Sequence, residues 1–126
     1  MRFAAGAIQQ VEQRAGERKA PVYAYRFDWV SDVMDRRLGA FHSLEIAFTF
    51  DNTDRWDSAT GGGARPRALA SRMSGAWVGF ARTGNPNHPG LPQWPPYGSE
   101  QKAVMIFDAV CAVKRDPDGK ARQLLG

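Results

Sequence analysis

Cysteine is nearly missing from this sequence: Cys111 is the single one among 126 residues. That excludes an internal disulfide and a thiolate metal cluster. Cys111 lies in the alternating run FDAVCAVKR, where a small buried thiol is expected rather than a nucleophile. Long hydrophobic runs are missing too. No stretch approaches the ~18 consecutive apolar residues of a membrane span, so none is expected. The opening MRFAAGAIQQVEQRAGERKA holds a glutamate and glutamines where an export signal needs an apolar run, so it is not expected to be one. Histidine is scarce, with 2 in the chain. His88 sits between Asn87 and Pro89 with no ligand-spaced companion, so no metal site is expected there. A contiguous basic run is also lacking. The net charge is +4 and the pI near 9.6, but the arginines alternate with acids, as in DRRLGAF and FDNTDRWD. Dispersed charge of this kind is a solvated surface, and no nucleic-acid partner is expected.

What is present describes one globular unit. Hydrophobic residues make up 43% and charged residues 24%, enough apolar material for a core. The 13 glycines and 8 prolines imply many loops. Residues 2–15 place Phe3, Ala7, Ile8 and Val11 on one side of a helix, with Gly16 as its stop. PVYAYRFDWV then reads as a strand. Val22, Tyr23, Tyr25, Phe27 and Trp29 make both of its faces largely apolar, which suits a parallel sheet flanked by helices. EIAFTF is short and apolar, and DNTDRWDSATGGGARP reads as a flexible surface loop. From Pro66 a helix is expected to run to just before Gly84, with Leu69, Met73, Trp77 and Phe80 as a stripe packed on a sheet. GNPNHPGLPQWPPYGSE is an ordered or extended loop, AVMIFD and VCAVKR are short strands, and DPDG is a turn before the tail. No repeat or internal boundary divides residues 1–126. A strand apolar on both faces needs neighbours at both edges and helices on both faces, which these elements supply only in part. The chain reads as the end of something larger.

One stretch carries chemistry. In LGAFHSLEIAFTFDN, His42 lies among apolar residues with Glu45 three positions on. By spacing alone His42 is either a hydrogen-bonded structural histidine or part of a site. A catalytic triad needs a nucleophile for the imidazole to deprotonate and a carboxylate to hold the other ring nitrogen. The serines are Ser31, Ser43, Ser58, Ser71, Ser74 and Ser99, and none lies in G-x-S-x-G. Glu45 is too near along the loop to orient the same ring comfortably.

Three blocks in order, PVYAYRFDW, GAFHSLEIAFTFDN and LASRMSGAWVGFARTGNPNHPGLPQWPPY, resemble the C-terminal part of the type-B carboxylesterases. That is the α/β-hydrolase family that includes para-nitrobenzyl esterase and the cholinesterases. The resemblance spans about Pro21 to Asp108. Around its catalytic histidine the family pattern is matched by Gly39, Ala40, His42, Glu45, Ile46, Phe48 and Phe50, with Ala47 where proline is usual. Met73, Trp77 and the run from Phe80 to Asn87 match the family's helix and following loop.

The resemblance implies an α/β fold, the C-terminal portion of an α/β-hydrolase, incomplete alone and forming one segment over residues 1–126. It implies that His42 is the general base and acid of an ester-hydrolysing triad, with no cofactor needed. Glu45 would then be a supporting carboxylate that fixes the loop, while Phe41 and Trp29 either approach the acyl pocket or simply pack. It also implies that the nucleophile, the oxyanion-hole glycines and the triad acid lie upstream of the matched region, so this chain alone is expected to be inactive. The partner expected is a complementary N-terminal hydrolase portion. The competing expectation is a non-catalytic module that keeps part of the sheet and pairs with itself or another chain.

Overall fold

A computed structural model of the protein describes residues 2–125, with the side chains of residues 2–4, 122 and 125 outside the described set. The apolar side expected of Phe3 therefore lies outside it. Helix α1 spans Arg2–Glu17. It runs one residue past Gly16, and Arg18 makes the left-handed turn (φ 51°) that a glycine would make more easily.

Three strands form one sheet in the order β1 (Ala24–Phe27), β2 (Ala103–Phe107), β3 (Ala112–Arg115). β1 and β2 are parallel, with Tyr25 opposite Met105. β2 and β3 are antiparallel, with Met105 opposite Val113. A pleated strand alternates its side chains, so Tyr25, Phe27, Met105, Phe107 and Val113 share one face of the sheet. Ala24, Arg26, Val104 and Ile106 share the other. The strand expected over 21–30 is regular only in its middle, and both faces do meet helices.

The first face carries the core. Helices α2 (Glu45–Thr49) and α4 (Ala64–Thr83) pack on each other over it. Phe48, Leu44, Leu69, Met73, Met105 and Phe107 are almost fully buried there. Phe48 meets Phe27 at 5.0 Å and Trp29 at 5.7 Å between ring centroids. α4 ends where expected: Gly84 turns left-handed (φ 77°) and donates its N–H to the Phe80 carbonyl at 2.8 Å. The α4 stripe is only half core, which corrects the sequence expectation. Leu69 and Met73 are buried, whereas Trp77 and Phe80 are each 44% exposed. Trp77 and Phe80 stand edge-on to Tyr25 and Tyr23, each at 6.2 Å between ring centroids, along the rim of an open cleft.

The segment expected to be a flexible loop is also corrected. A 3-10 turn at Thr53–Trp56 leads into a short helix α3 (Asp57–Thr60). Buried Thr60 donates its hydroxyl to the carbonyls of Thr53 and Trp56, both at 3.2 Å. Its own carbonyl accepts the Trp29 indole N–H at 3.3 Å. These bonds satisfy the backbone locally and let the segment pack inward.

The proline-rich loop after α4 is irregular and ordered by side chains. Asn87 accepts from the Trp94 N–H and donates to the Trp94 carbonyl, both at 2.7 Å. His88 is wedged beside α4. The Gly90 N–H can only donate, so Nδ1 accepts it at 3.1 Å and Nε2 bears the hydrogen given to the Arg72 carbonyl at 2.8 Å. After β3, Asp116 and Gly119 close the expected turn with a 3.0 Å backbone bond. Helix α5 (Gly119–Leu125) follows.

Candidate functional site

His42 lies on the long connection between β1 and α2. The connection starts rigidly. The guanidinium of Arg26 grips Asp28 through two 2.7 Å bonds and reaches Asp118 at 2.6 Å. These contacts hold Arg26 firmly protonated, the Asp28 hydrogen bond contributing most and outweighing burial. Buried Ser31 accepts the Val33 N–H at 3.2 Å. The chain then turns through three successive left-handed residues, Met34, Asp35 and Arg36 (φ 53°, 54° and 66°).

The turn that bears His42 is set by its neighbours. Phe41 is half-buried against the core and its ring stands edge-on to Trp56 at 6.0 Å. Leu44 is fully buried, and its N–H donates to the Phe41 carbonyl at 3.2 Å. Two apolar anchors thus pull their own positions inward and leave the pair between them at the tip. His42 is exposed there. Ser43 adopts a left-handed conformation (φ 71°) that turns the chain directly into α2, a strained state for a residue with a Cβ.

Glu45 begins α2 and is half-buried. Its charge is felt on β1: burial first, and then the Glu45 carboxylate, push the Tyr25 phenol up, against a hydrogen bond with Trp77 that lowers it. Trp29 is 2% exposed. Its indole is fixed by Thr60 and roofed by the Arg65 guanidinium 5.3 Å from the ring centroid. Phe41 and Trp29 both pack in this arrangement. Cys111 is buried and its thiol points to the Asp108 carbonyl at 3.6 Å.

Two concavities border β1. A small apolar cleft of about 110 Å³ is lined by Tyr23, Tyr25, Trp77, Phe80, Trp94 and Phe107, with Pro86 and Ala76. The sequence assigned Trp77 and Phe80 to core packing, so the cleft was not anticipated. Its one legible signal was the Tyr23–Tyr25 alternation, which puts both rings on one face. A larger groove of about 630 Å³ follows the whole of β1. Among the described residues no cluster of histidine, cysteine and carboxylate side chains could hold a metal ion, and no helix is long and apolar enough to cross a membrane.

A family model described as the carboxylesterase family matches residues 1–124. The chain belongs to the carboxylesterase family. It is 37% identical over 119 residues to phenmedipham hydrolase of Pseudarthrobacter oxydans, covering 90% of this chain and 24% of that protein. It is 34% identical over 108 residues to para-nitrobenzyl esterase of Bacillus subtilis, covering 84% and 22%. Among solved structures, carboxylesterase EST55 of Geobacillus stearothermophilus superposes with a TM-score of 0.79 at 40% identity, covering 95% of this chain and 25% of that one. This carboxylesterase-family chain thus spans about a quarter of the length of the relatives it matches. Its three-stranded sheet with flanking helices is a partial α/β-hydrolase fold.

Proposed function

We propose that this chain is the C-terminal portion of a serine carboxylesterase and supplies the histidine that moves protons during ester hydrolysis. The observation that carries the proposal is the setting of His42 in a chain of this family. It is exposed at the tip of a turn on the connection that leaves the carboxyl end of parallel strand β1. Open α/β sheets gather their ligands outside the carboxyl ends of their strands. In the complete enzyme the imidazole takes the proton of a serine hydroxyl as that oxygen attacks the ester carbonyl. It returns a proton to the leaving alcohol, then draws one from the water that releases the acyl group. Glu45 is the supporting carboxylate at the start of α2, near enough to β1 for its charge to be felt at Tyr25. The nucleophile, its carboxylate partner and the donors to the oxyanion come from chain outside these residues. Without those donors about 3–4 kcal/mol of transition-state stabilisation is missing, so the isolated chain does not turn over esters.

A test joins this chain to the N-terminal part of the Bacillus subtilis para-nitrobenzyl esterase, in place of the segment it matches. The joined protein is expected to hydrolyse p-nitrophenyl acetate, and His42→Ala to lower kcat by about four orders of magnitude. Hydrolysis that survives the substitution contradicts the assignment. The half-exposed Trp77 and Phe80 favour a second reading, a module that keeps the fold and associates with itself. Light scattering separates the two, because a stable discrete homodimer belongs to the module alone.

A further inference from the structure

We infer that Ser43 is a positioning residue for His42, and that it acts through its left-handed backbone rather than through its hydroxyl. The inference rests on the proposed function, because it concerns what orients the histidine that the ester reaction uses. The turn itself supplies the first observation. The Leu44 N–H donates to the Phe41 carbonyl at 3.2 Å, which closes a four-residue turn with His42 and Ser43 at its centre. Ser43 has φ 71°, while the φ of His42 is not positive. A positive φ at the third residue alone is the mark of a type II turn. Glycine and asparagine take that position readily, and most other side chains resist it.

The second observation is that the turn is anchored at both ends. Phe41 packs on the core and stands edge-on to Trp56, and Leu44 is fully buried. Beyond Ser43 the chain enters α2 at once. The Ser43 carbonyl accepts the Ile46 N–H at 3.2 Å, and Ala47 and Phe48 of that helix are buried. The dihedrals of His42 and Ser43 are therefore the ones left to absorb a change. The bonds that close the turn run between backbone atoms, so the Ser43 hydroxyl takes no part in them. A side chain branched at Cβ is the least able to hold the left-handed state. At position 43 it would drive the peptide between His42 and Ser43 to turn over, towards the type I form. The backbone that carries the imidazole then changes its direction relative to α2. Strain held at the residue next to a reacting group is a recurrent feature of functional sites.

The test compares two substitutions in the fusion with the N-terminal part of para-nitrobenzyl esterase, each read where circular dichroism shows it fully folded. Ser43→Thr keeps the hydroxyl but branches at Cβ. Ser43→Gly loses the hydroxyl but accepts the turn. With p-nitrophenyl acetate, kcat of Ser43→Thr should fall at least about tenfold below that of Ser43→Gly, with KM in the two within about twofold. Equal kcat values, or the greater loss in Ser43→Gly, overturn the inference. If Ser43→Thr does not fold, Ser43→Gln is compared with Ser43→Asn, since asparagine is the amide that tolerates the left-handed state. Ser43→Gln should then be the slower, and the reverse order or equality overturns the inference. In the isolated chain the ring-proton resonances of His42 give a readout free of ester turnover, and they decide the matter if the fusion is inactive. They should move further in Ser43→Thr than in Ser43→Gly, and equal or reversed shifts overturn the inference. A fusion that stays active as His42→Ala, with the resonances moving as expected, upholds the positioning and contradicts the role of His42.

Discussion

On one face of the sheet, Met105 and Phe107 are sealed beneath α2 and α4, with Leu69, Met73 and Phe48 filling the space between. On the other face, α1 lies over Ala24 and Val104 across a groove of about 630 Å³, and Ile8 and Val11 are only half-buried. The two faces belong to the same three strands, but alternation gives the first Tyr25, Phe27, Met105 and Phe107 and the second Ala24, Arg26, Val104 and Ile106. They differ as well in how much chain covers each. The face under α4 is sealed by residues that this segment contains, whereas the groove along β1 stays open. This carboxylesterase-family segment closes one core, and His42 lies on the connection from the strand that borders the open groove.

The contrast predicts unequal responses to truncation. Leu69→Ala, in the sealed core, should cost about 2–5 kcal/mol in urea denaturation. Val11→Ala, over the groove, should cost less than about 1 kcal/mol. Equal losses would break the comparison.

Glycine substitutions sharpen it. A Cβ on Gly6 of α1 would meet nothing within 4 Å, so Gly6→Ala should stabilise by about 0.5–1 kcal/mol through helix propensity. A Cβ on Gly75 of α4 would come within 3.0 Å of the His88 ring nitrogen. That ring is itself held between Arg72 and Gly90. Gly75→Ala should therefore lose about 1 kcal/mol net, the overpacking outweighing the same propensity gain.

The smallest effect is a pH dependence at the boundary between the faces. Burial, and then Glu45, raise the Tyr25 pKa from 10.0. A raised folded-state pKa means that the native state holds the proton more tightly. The associated stability is thus fully present below pH 10 and is lost as pH rises through the higher folded value. Urea midpoints for the native chain should fall faster above pH 10 than those of Tyr25→Phe. Parallel curves would contradict a raised Tyr25 pKa in the folded chain.

Helix α4 was legible because its stripe and its closing glycine are local signals: the helix ends at Gly84 as expected, and Leu69 and Met73 of the stripe are core. The short strands were legible for the same reason. The segment 51–66 was not, because its order comes from a threonine hydroxyl meeting carbonyls and from an indole 31 residues away. Composition shows turn residues without showing what they bond. The exposure of Trp77 and Phe80 was not legible because periodicity reports which residues share a face, not how tightly the opposing surface closes over them. The exposure of His42 follows from Phe41 and Leu44 being drawn inward on either side, a packing outcome that spacing leaves open. The chemical role proposed for it rests only on the family blocks around it.

The claim on which the account depends is that the site is unfinished within these residues. The most direct measurement treats the isolated, sequence-verified chain with a fluorophosphonate that labels activated serines and reads its intact mass. The account predicts no adduct on any of the serines, Ser31, Ser43, Ser58, Ser71, Ser74 or Ser99, because none is held as an activated nucleophile. A stoichiometric adduct on one of them, lost in His42→Ala, would contradict it.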